Sequence, residues 1–455
     1  MIDSVYFEGL TAKLLSQLKE GEHLFINLSG ENSQFIRING AKVRQTGVIQ
    51  DADLELELLL EKKSEDDGAF TSGGLHKVAS STTLCGLAYE DHERLSAALK
   101  RLRAEASQVP ADPFAQLPQR LESALDVTSG HLPDVANAPA ALLGALEGID
   151  VAGIYAAGEQ FRAMSNSAGL THWFSTKTFS FDYSFYTPSQ RAVKGVFAGR
   201  DWDRGAFQNS IARSREKLRA LEAPARRLDP GSYRVFLEPA AVADFIGMLA
   251  WGGVSEAALR QGESPLLKIR RGEATFSPLF NLSEDFSRGD IPRFNSEGEL
   301  APKELALICD GKLVHTLVCS RTAAEYGAVS NQADSSEMLR APSMRGGDLR
   351  LEDVLMRLGT GIYISNVHYL NWSDVPGGRV TGMTRYACFW VENGKMIAPI
   401  ENLRFDDTIY SIFGDALEAL TAQCEFMADT GSYGSRNLGG VSVPGMLLSG
   451  MKFKL

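Results

Sequence analysis

Cysteine is scarce. The five residues, Cys85, Cys309, Cys319, Cys388 and Cys424, are odd in number, widely scattered and without C-x-x-C spacing. That pattern excludes a disulfide framework and fits reduced thiols in a cytosolic chain, read here as small buried apolar residues. Histidine is just as sparse: His23, His76, His92, His131, His172, His315 and His368 never come closer than sixteen residues, so no pair at helical spacing announces a metal site. Long hydrophobic runs are missing. The apolar stretch around Phe245 to Trp251 is broken by glycine and charge, well short of the ~20 residues of a membrane span. Met1-Ile2-Asp3-Ser4 carries no basic segment leading into an apolar one, so no secretory signal is read and a cytoplasmic location is expected. Positive charge is in deficit, 46 Lys and Arg against 57 Asp and Glu for a net charge of -11, with no dense basic stripe; a nucleic-acid partner is not expected. No G-x-S-x-G elbow, phosphate-binding G-x-x-x-x-G-K-[ST] loop or G-x-G-x-x-G turn occurs either, so acyl-serine hydrolysis and nucleotide binding lack their usual supports.

What remains is an ordinary globular composition, 44% hydrophobic and 23% charged over 455 residues, long enough for two or three cores. Asp3 to Lys19 has apolar residues at helical spacing, with Ser4 as N-cap and Gly21 as stop. His23 to Leu28, Ser33 to Ile38, Ala41 to Gln45 and Leu54 to Glu61 read as strands, with Asn39-Gly40 at a hairpin turn. Tyr89 to Glu105 returns to helix. Residues Gln108 to Pro118 hold three prolines and read as a linker. Beyond it, Gly153 to Ala163 and Gly169 to Phe185 are strand-like, and alternation puts Phe179, Phe181, Tyr183 and Phe185 on one face, a core face before a ligand-stacking one. Asp203 to Leu221 is an amphipathic helix. After Pro224 and Pro230 the chain turns strand-rich, with hairpins at Asp310-Gly311 and Asn393-Gly394, a helix at Leu351 to Leu358, a strand at Gly361 to His368 and a late helix at Ala416 to Met427.

The expected fold class is α+β. An N-terminal α/β domain (1–107) carries a small antiparallel sheet, a middle α/β domain spans 119–224, and a C-terminal domain (230–455) carries a large antiparallel sheet. Chemistry is harder to place. Either His172, beside Thr171 and Trp173, or His368, beside Tyr369, has the residue type of a general base, given a partner in hydrogen-bond reach. Carboxylates such as Glu31 and the pair Asp406-Asp407 read as solvated. Thr430 to Gly440, rich in Gly and Ser, reads as a loop before the last strand rather than a binding loop.

Three ordered segments carry a resemblance. Gly359-Thr360-Gly361-Ile362-Tyr363-Ile364 is followed by Pro376-Gly377-Gly378-Arg379-Val380-Thr381-Gly382, then by Val391-Glu392-Asn393-Gly394-Lys395-Met396-Ile397-Ala398-Pro399-Ile400. Together with Asp310-Gly311-Lys312-Leu313 and Ser165-Asn166-Ser167-Ala168-Gly169-Leu170, they resemble the TldD/PmbA family, known also as modulators of DNA gyrase. In its TldD branch a helix bears H-E-x-x-x-H and a cysteine near the C-terminus completes a zinc site. Here Gly247-Met248-Leu249-Ala250-Trp251-Gly252 falls where that motif would, and Tyr433 stands where the cysteine would. Gly247, Met248, Gly252 and Tyr433 offer no imidazole, carboxylate or thiolate, so the resemblance implies no metal and no catalytic residue in this chain, with zinc in a TldD-type partner. The implied role is that of a TldE/PmbA-type subunit presenting unfolded or short peptides to that zinc, as a heterodimer or, alone, as a homodimeric peptide binder; an independent hydrolase is the remaining reading. Asn166, His172, His368 and Tyr386 are the candidate substrate-binding residues.

Overall fold

The computed structural model describes residues 2–63, 70–119 and 122–454. The first helix, α1 (Ser4–Leu15), is capped by Asp3, whose carboxylate accepts the Tyr6 N–H at 2.8 Å. The cap lies one residue before Ser4, and the helix ends at Leu15 rather than running to Lys19. Its start is a side-chain oxygen satisfying an orphan backbone donor. Strands β1 (Glu22–Asn39) and β2 (Lys42–Lys63) then form one long hairpin. Its two turn residues are Gly40 and Ala41, with φ of 58° and 55°, so the type I′ turn sits one residue later than Asn39-Gly40 would place it.

The chain continues through β3 (Phe70–Thr83), α2 (Ala88–Ala106), β4 (Ala111–Asp112), β5 (Leu125–Thr128), α3 (Ala138–Leu146), β6 (Asp150–Asn166), β7 (Thr171–Tyr186), β8 (Ala192–Gly199) and α4 (Arg204–Ala220). All eight strands belong to one sheet, ordered β4-β3-β2-β1-β6-β7-β5 with β8 also on β7. The sheet is thus neither small nor confined to residues 1–107. Strand β1 pairs with β6 from Phe25↔Asn166 to Asn39↔Ala152, so segments on both sides of the proline-rich stretch share their backbone hydrogen bonds. The close fit of the two strands requires glycine at Gly158, where a Cβ would stand 2.1 Å from the Asn32 carbonyl oxygen.

Period-2 alternation sorts the two faces. Leu24, Ile26, Leu28, Leu54, Leu56, Phe161 and Ala163 bury against α1 and α2. Farther along the same face, Ile36, Ile38, Tyr155, Phe179, Phe181, Tyr183 and Phe185 bury against α3 and α4, which makes the aromatic stripe a packed core. That core does not stop at the sheet, for it includes Phe236, Tyr363, Phe389, Val391 and Leu447 of the C-terminal half. The opposite face is polar: Asn27, Ser29, Glu31 and Ser33 alternate with the buried leucines and isoleucines.

The C-terminal half begins with β9 (Gly231–Leu237) and α5 (Pro239–Ala250) and builds a 13-stranded sheet. Its organiser is the last strand, Gly440–Lys454, which pairs antiparallel with β9, with Arg404–Thr408 and with Leu417–Ala428. It also pairs in parallel at Ser343, and Gly361–Ile364 runs parallel to β9, so the sheet is mixed rather than purely antiparallel. Both expected hairpin turns form, with φ of 46° and 74° at Asp310 and Gly311 and 50° and 73° at Asn393 and Gly394. Leu417–Ala428 is a strand where local composition predicts a helix. Leucines, alanines and glutamates favour helix by only tenths of a kcal/mol per residue, less than a ladder along the last strand with Leu417, Ala419 and Leu420 buried. The cysteines also differ from expectation: only Cys319 and Cys388 are buried, whereas Cys85, Cys309 and Cys424 are exposed, and all five are free. No described helix is long and apolar enough to cross a membrane.

Candidate functional site

Helix α5 lies against the C-terminal sheet, with Pro at its first turn and Val242, Phe245, Ile246 and Leu249 in the core. Met248 is 3% exposed and belongs to that core. Gly247 is half-buried with nothing near the place of its missing Cβ. Gly252 follows the helix at φ 75°, and Tyr433 is fully exposed on the loop before the last strand. Asp244 is the one acidic side chain on α5, and a single carboxylate does not make a zinc site, which takes three or four converging N, S or O donors. Among the described residues no three His, Cys, Asp or Glu side chains come together to hold a metal. The residues at these positions do not fit zinc.

The four candidate binding residues fall into two pairs, Asn166 with His172 at one end of the β6–β7 hairpin and His368 with Tyr386 at one end of the hairpin of Asn366–Asp374 and Arg379–Arg385, and no hydrogen bond joins any two of them. His172 is fully buried: its Nδ1 accepts the Ala124 N–H at 2.9 Å, which leaves the proton on Nε2 to be donated to the Gly298 carbonyl at 2.9 Å. The ring stacks on Phe294 at 4.9 Å, and burial pushes its pKa below the ordinary histidine value. With both nitrogens engaged, it pins the segment around Gly298 to β7 and has none free for a substrate. Asn166 is equally occupied, accepting from Ala168 and Leu170 N–H at 3.0 and 3.2 Å and donating to the Gln119 carbonyl. His368 is exposed, its ring 3.9 Å from that of Tyr369, which stands at φ 53°. Tyr386 is half-buried at φ 63° and lines an open groove with Tyr186, Arg191 and Glu401.

Several residues that the sequence passes over make the joint between the sheets. Arg436, 6% exposed in the glycine-rich loop, reaches the polar face of the first sheet. Its side chain donates to Ser33 Oγ at 3.2 Å and to Thr178 at its carbonyl (3.2 Å) and hydroxyl (2.8 Å), while its backbone N–H donates to Glu31 Oε1 at 3.0 Å. Gln160 returns two bonds, to the carbonyls of Arg436 and Asn437. Burial lowers the Arg436 pKa to about 10. Glu31 is therefore not solvated, being 2% exposed with Oε2 buried and without a hydrogen-bond partner among the described residues. The pair Asp406-Asp407 is not free either: Asp406 bridges Arg379 and Lys454, and Asp407 is buried on the Thr408 and Lys452 N–H groups. The signal for Glu31 and Arg436 is weak, one carboxylate between two readable strand segments and one arginine in a loop.

Beside this joint a cleft of about 560 Å³ opens between the first sheet and the C-terminal half. One wall is the polar face, with Asn27, Ser29, Asp53, Glu55 and Arg162; the other carries Asn295, Asp334, Arg340 and Asn437. Arg162 donates through Nη1 to the Phe161 and Gly30 carbonyls at 2.8 and 3.5 Å. Arg340 donates through Nη2 to the carbonyls of Pro292 and Phe294, and its Nη1 is buried without a partner among the described residues. Burial lowers the pKa of both guanidinium groups, outweighing the opposing attraction of Glu31 on Arg162 and of Asp334 and Glu284 on Arg340. A cleft at the seam of two sheets, lined by several polar and charged groups, is a candidate ligand site.

Residues 230–455 match the model of the PmbA/TldA metallopeptidase C-terminal domain. This chain belongs to the TldD/PmbA family. Solved structures of similar fold extend the likeness over the whole chain. TldE from Thermococcus kodakarensis superposes with a TM-score of 0.74 at 14% identity, covering 99% of this chain and 100% of that one. A protein described as a modulator of a DNA gyrase from Thermotoga maritima gives 0.73 at 14%, covering 98% and 100%. One described likewise from Bacteroides thetaiotaomicron gives 0.69 at 16%, covering 100% of both. At these identities the likeness is one of fold. No curated protein matches the chain. As a TldD/PmbA member the chain carries a metallopeptidase-like fold.

Proposed function

We propose that this chain is the non-catalytic subunit of a TldD/TldE-type zinc metallopeptidase, pairing with a TldD-type chain and presenting unfolded or short peptides to zinc held by that partner. The observation that carries the reading is the donor set at α5 and the loop: Gly247, buried Met248, Gly252 and exposed Tyr433. A chain without imidazole or thiolate there activates no water on zinc of its own. The cleft at the seam of the sheets supports peptide holding, as do the sheet's terminal strands, Lys312–Leu313 and Lys395–Pro399, each with a neighbour on one side, since an extended peptide gains main-chain hydrogen bonds by joining a free edge. The test is metal content of the purified chain, followed on the same sample by peptidase assay with and without a co-expressed TldD-type chain. No zinc, with cleavage appearing only in the pair, is the expected result. Stoichiometric zinc together with cleavage by the single chain overturns it.

A further inference from the structure

Strand register places two opposite charges on the cleft wall without letting them meet. Ser29 of β1 faces Asp53 of β2 on one side and Arg162 of β6 on the other. Residues directly across a ladder share a face, and strands stand ~4.8 Å apart, so the Asp53 and Arg162 backbones are about 10 Å apart on the same wall. Glu55, two residues on from Asp53, points to that face as well, opposite Asn27.

The cationic end has acids near it, Glu31 beside Arg162 and Asp334 and Glu284 beside Arg340, but forms an ion pair with no described carboxylate. Arg162 uses one of its three nitrogens, Nη1, on backbone carbonyls, and its other two make no hydrogen bond with a described residue. Across the cleft Arg340 likewise bonds only carbonyls. A guanidinium out of bulk water is best satisfied by a planar oxyanion gripped through two parallel N–H bonds. The acids on the same walls are turned to other donors, Asp334 to Ser336 and Asp429 to Gly431 and Asn437. Among the described residues Asp53 accepts only from the exposed Thr83 hydroxyl, at 2.6 Å, so it retains lone pairs for a cation.

We propose that this cleft binds short peptides by their two ends, Arg162 with Arg340 taking the C-terminal carboxylate and Asp53 with Glu55 the α-ammonium. The inference rests on the peptide reading above and narrows it to peptides with free termini. An extended chain rises ~3.3 Å per residue, so two to four residues span the charges. An interior stretch of polypeptide has neither charge and leaves both ends of the wall uncompensated, at the cost that unpaired charges carry in a partly dehydrated site.

Calorimetric titration of the purified full chain with tri-alanine, its N-acetyl form and its C-terminal amide tests this. Free tri-alanine is expected to bind, and each block to weaken it at least about tenfold, the size of one lost charge-assisted hydrogen bond. Arg162→Met should erase the difference between acid and amide, and Asp53→Asn the difference between free and acetylated amine. Asp53 is exposed, so its variant stays informative even where loss of the Arg162 carbonyl bonds impairs folding. Equal binding of blocked and free peptides overturns the inference while leaving peptide presentation standing. Absence of binding by all three overturns it together with peptide holding by the single chain, and inorganic phosphate binding as tightly as tri-alanine overturns it in favour of a bare oxyanion site.

Discussion

Glu284 shows what burial does to a single carboxyl group. It is 3% exposed and accepts the Arg340 and Ala341 N–H groups at 2.9 and 3.1 Å, yet desolvation outweighs those bonds and pushes its pKa up to about 7. A folded value above the unfolded one means that the native state holds the proton more tightly. The stability this group contributes is therefore complete below about pH 4.5 and is lost as pH rises through about 7. Glu284→Gln keeps an acceptor oxygen and cannot ionise. Relative to the wild type it should gain about 3 kcal/mol between pH 4.5 and pH 8, measured by urea unfolding at both values; a pH-independent difference would mean that the carboxylate ionises freely beside Arg340. None of this is legible from sequence. Glu284 and Glu31 look like any surface acid, and their burial follows from long-range pairing, whereas His172 stands out by residue type as a candidate base and in the fold has both ring nitrogens engaged by backbone groups.

Elements were most readable where their chemistry is local. The Asp310-Gly311 and Asn393-Gly394 turns form as their residues dictate, because left-handed backbone is cheap for Asn, Asp and Gly. The strand at Leu417–Ala428 was unreadable because its partner, the last strand, supplies a ladder that no local window contains. The stretch Thr430 to Gly440 reads from sequence only as a loop, and its one arginine decides its placement. Arg436→Met should leave both sheets folded but release that loop, since Ser33, Thr178 and the neighbouring carbonyls would lose their donors. A loss of about 3 kcal/mol is expected, as for other broken buried charge contacts. Hydrogen exchange confined to residues 429–439, accelerated in the variant, would confirm the local character; acceleration spread through the first sheet would contradict it.

At the scale of the molecule, the α+β class and the strand-rich C-terminal half could be read from alternation and turn residues, while the sharing of one sheet by residues before and after the proline-rich stretch could not. Prolines mark where regular structure breaks, not where hydrogen bonding between distant strands stops. A chain beginning at residue 119 would uncover the whole β1 side of β6, and it should be insoluble or multimeric by size-exclusion chromatography, because a long unpaired edge templates association; a monomeric, cooperatively melting fragment would contradict this. The same β1–β6 pairing also sets a clock. Strand β1 meets β2 across a two-residue turn, a search of microseconds, but its other neighbour joins at Asn39↔Ala152, with more than a hundred residues of loop to close before any reward arrives. During synthesis at about 5–20 residues per second, the first hairpin waits several seconds with one side bare, a window in which a chaperone or a like strand has first claim on it.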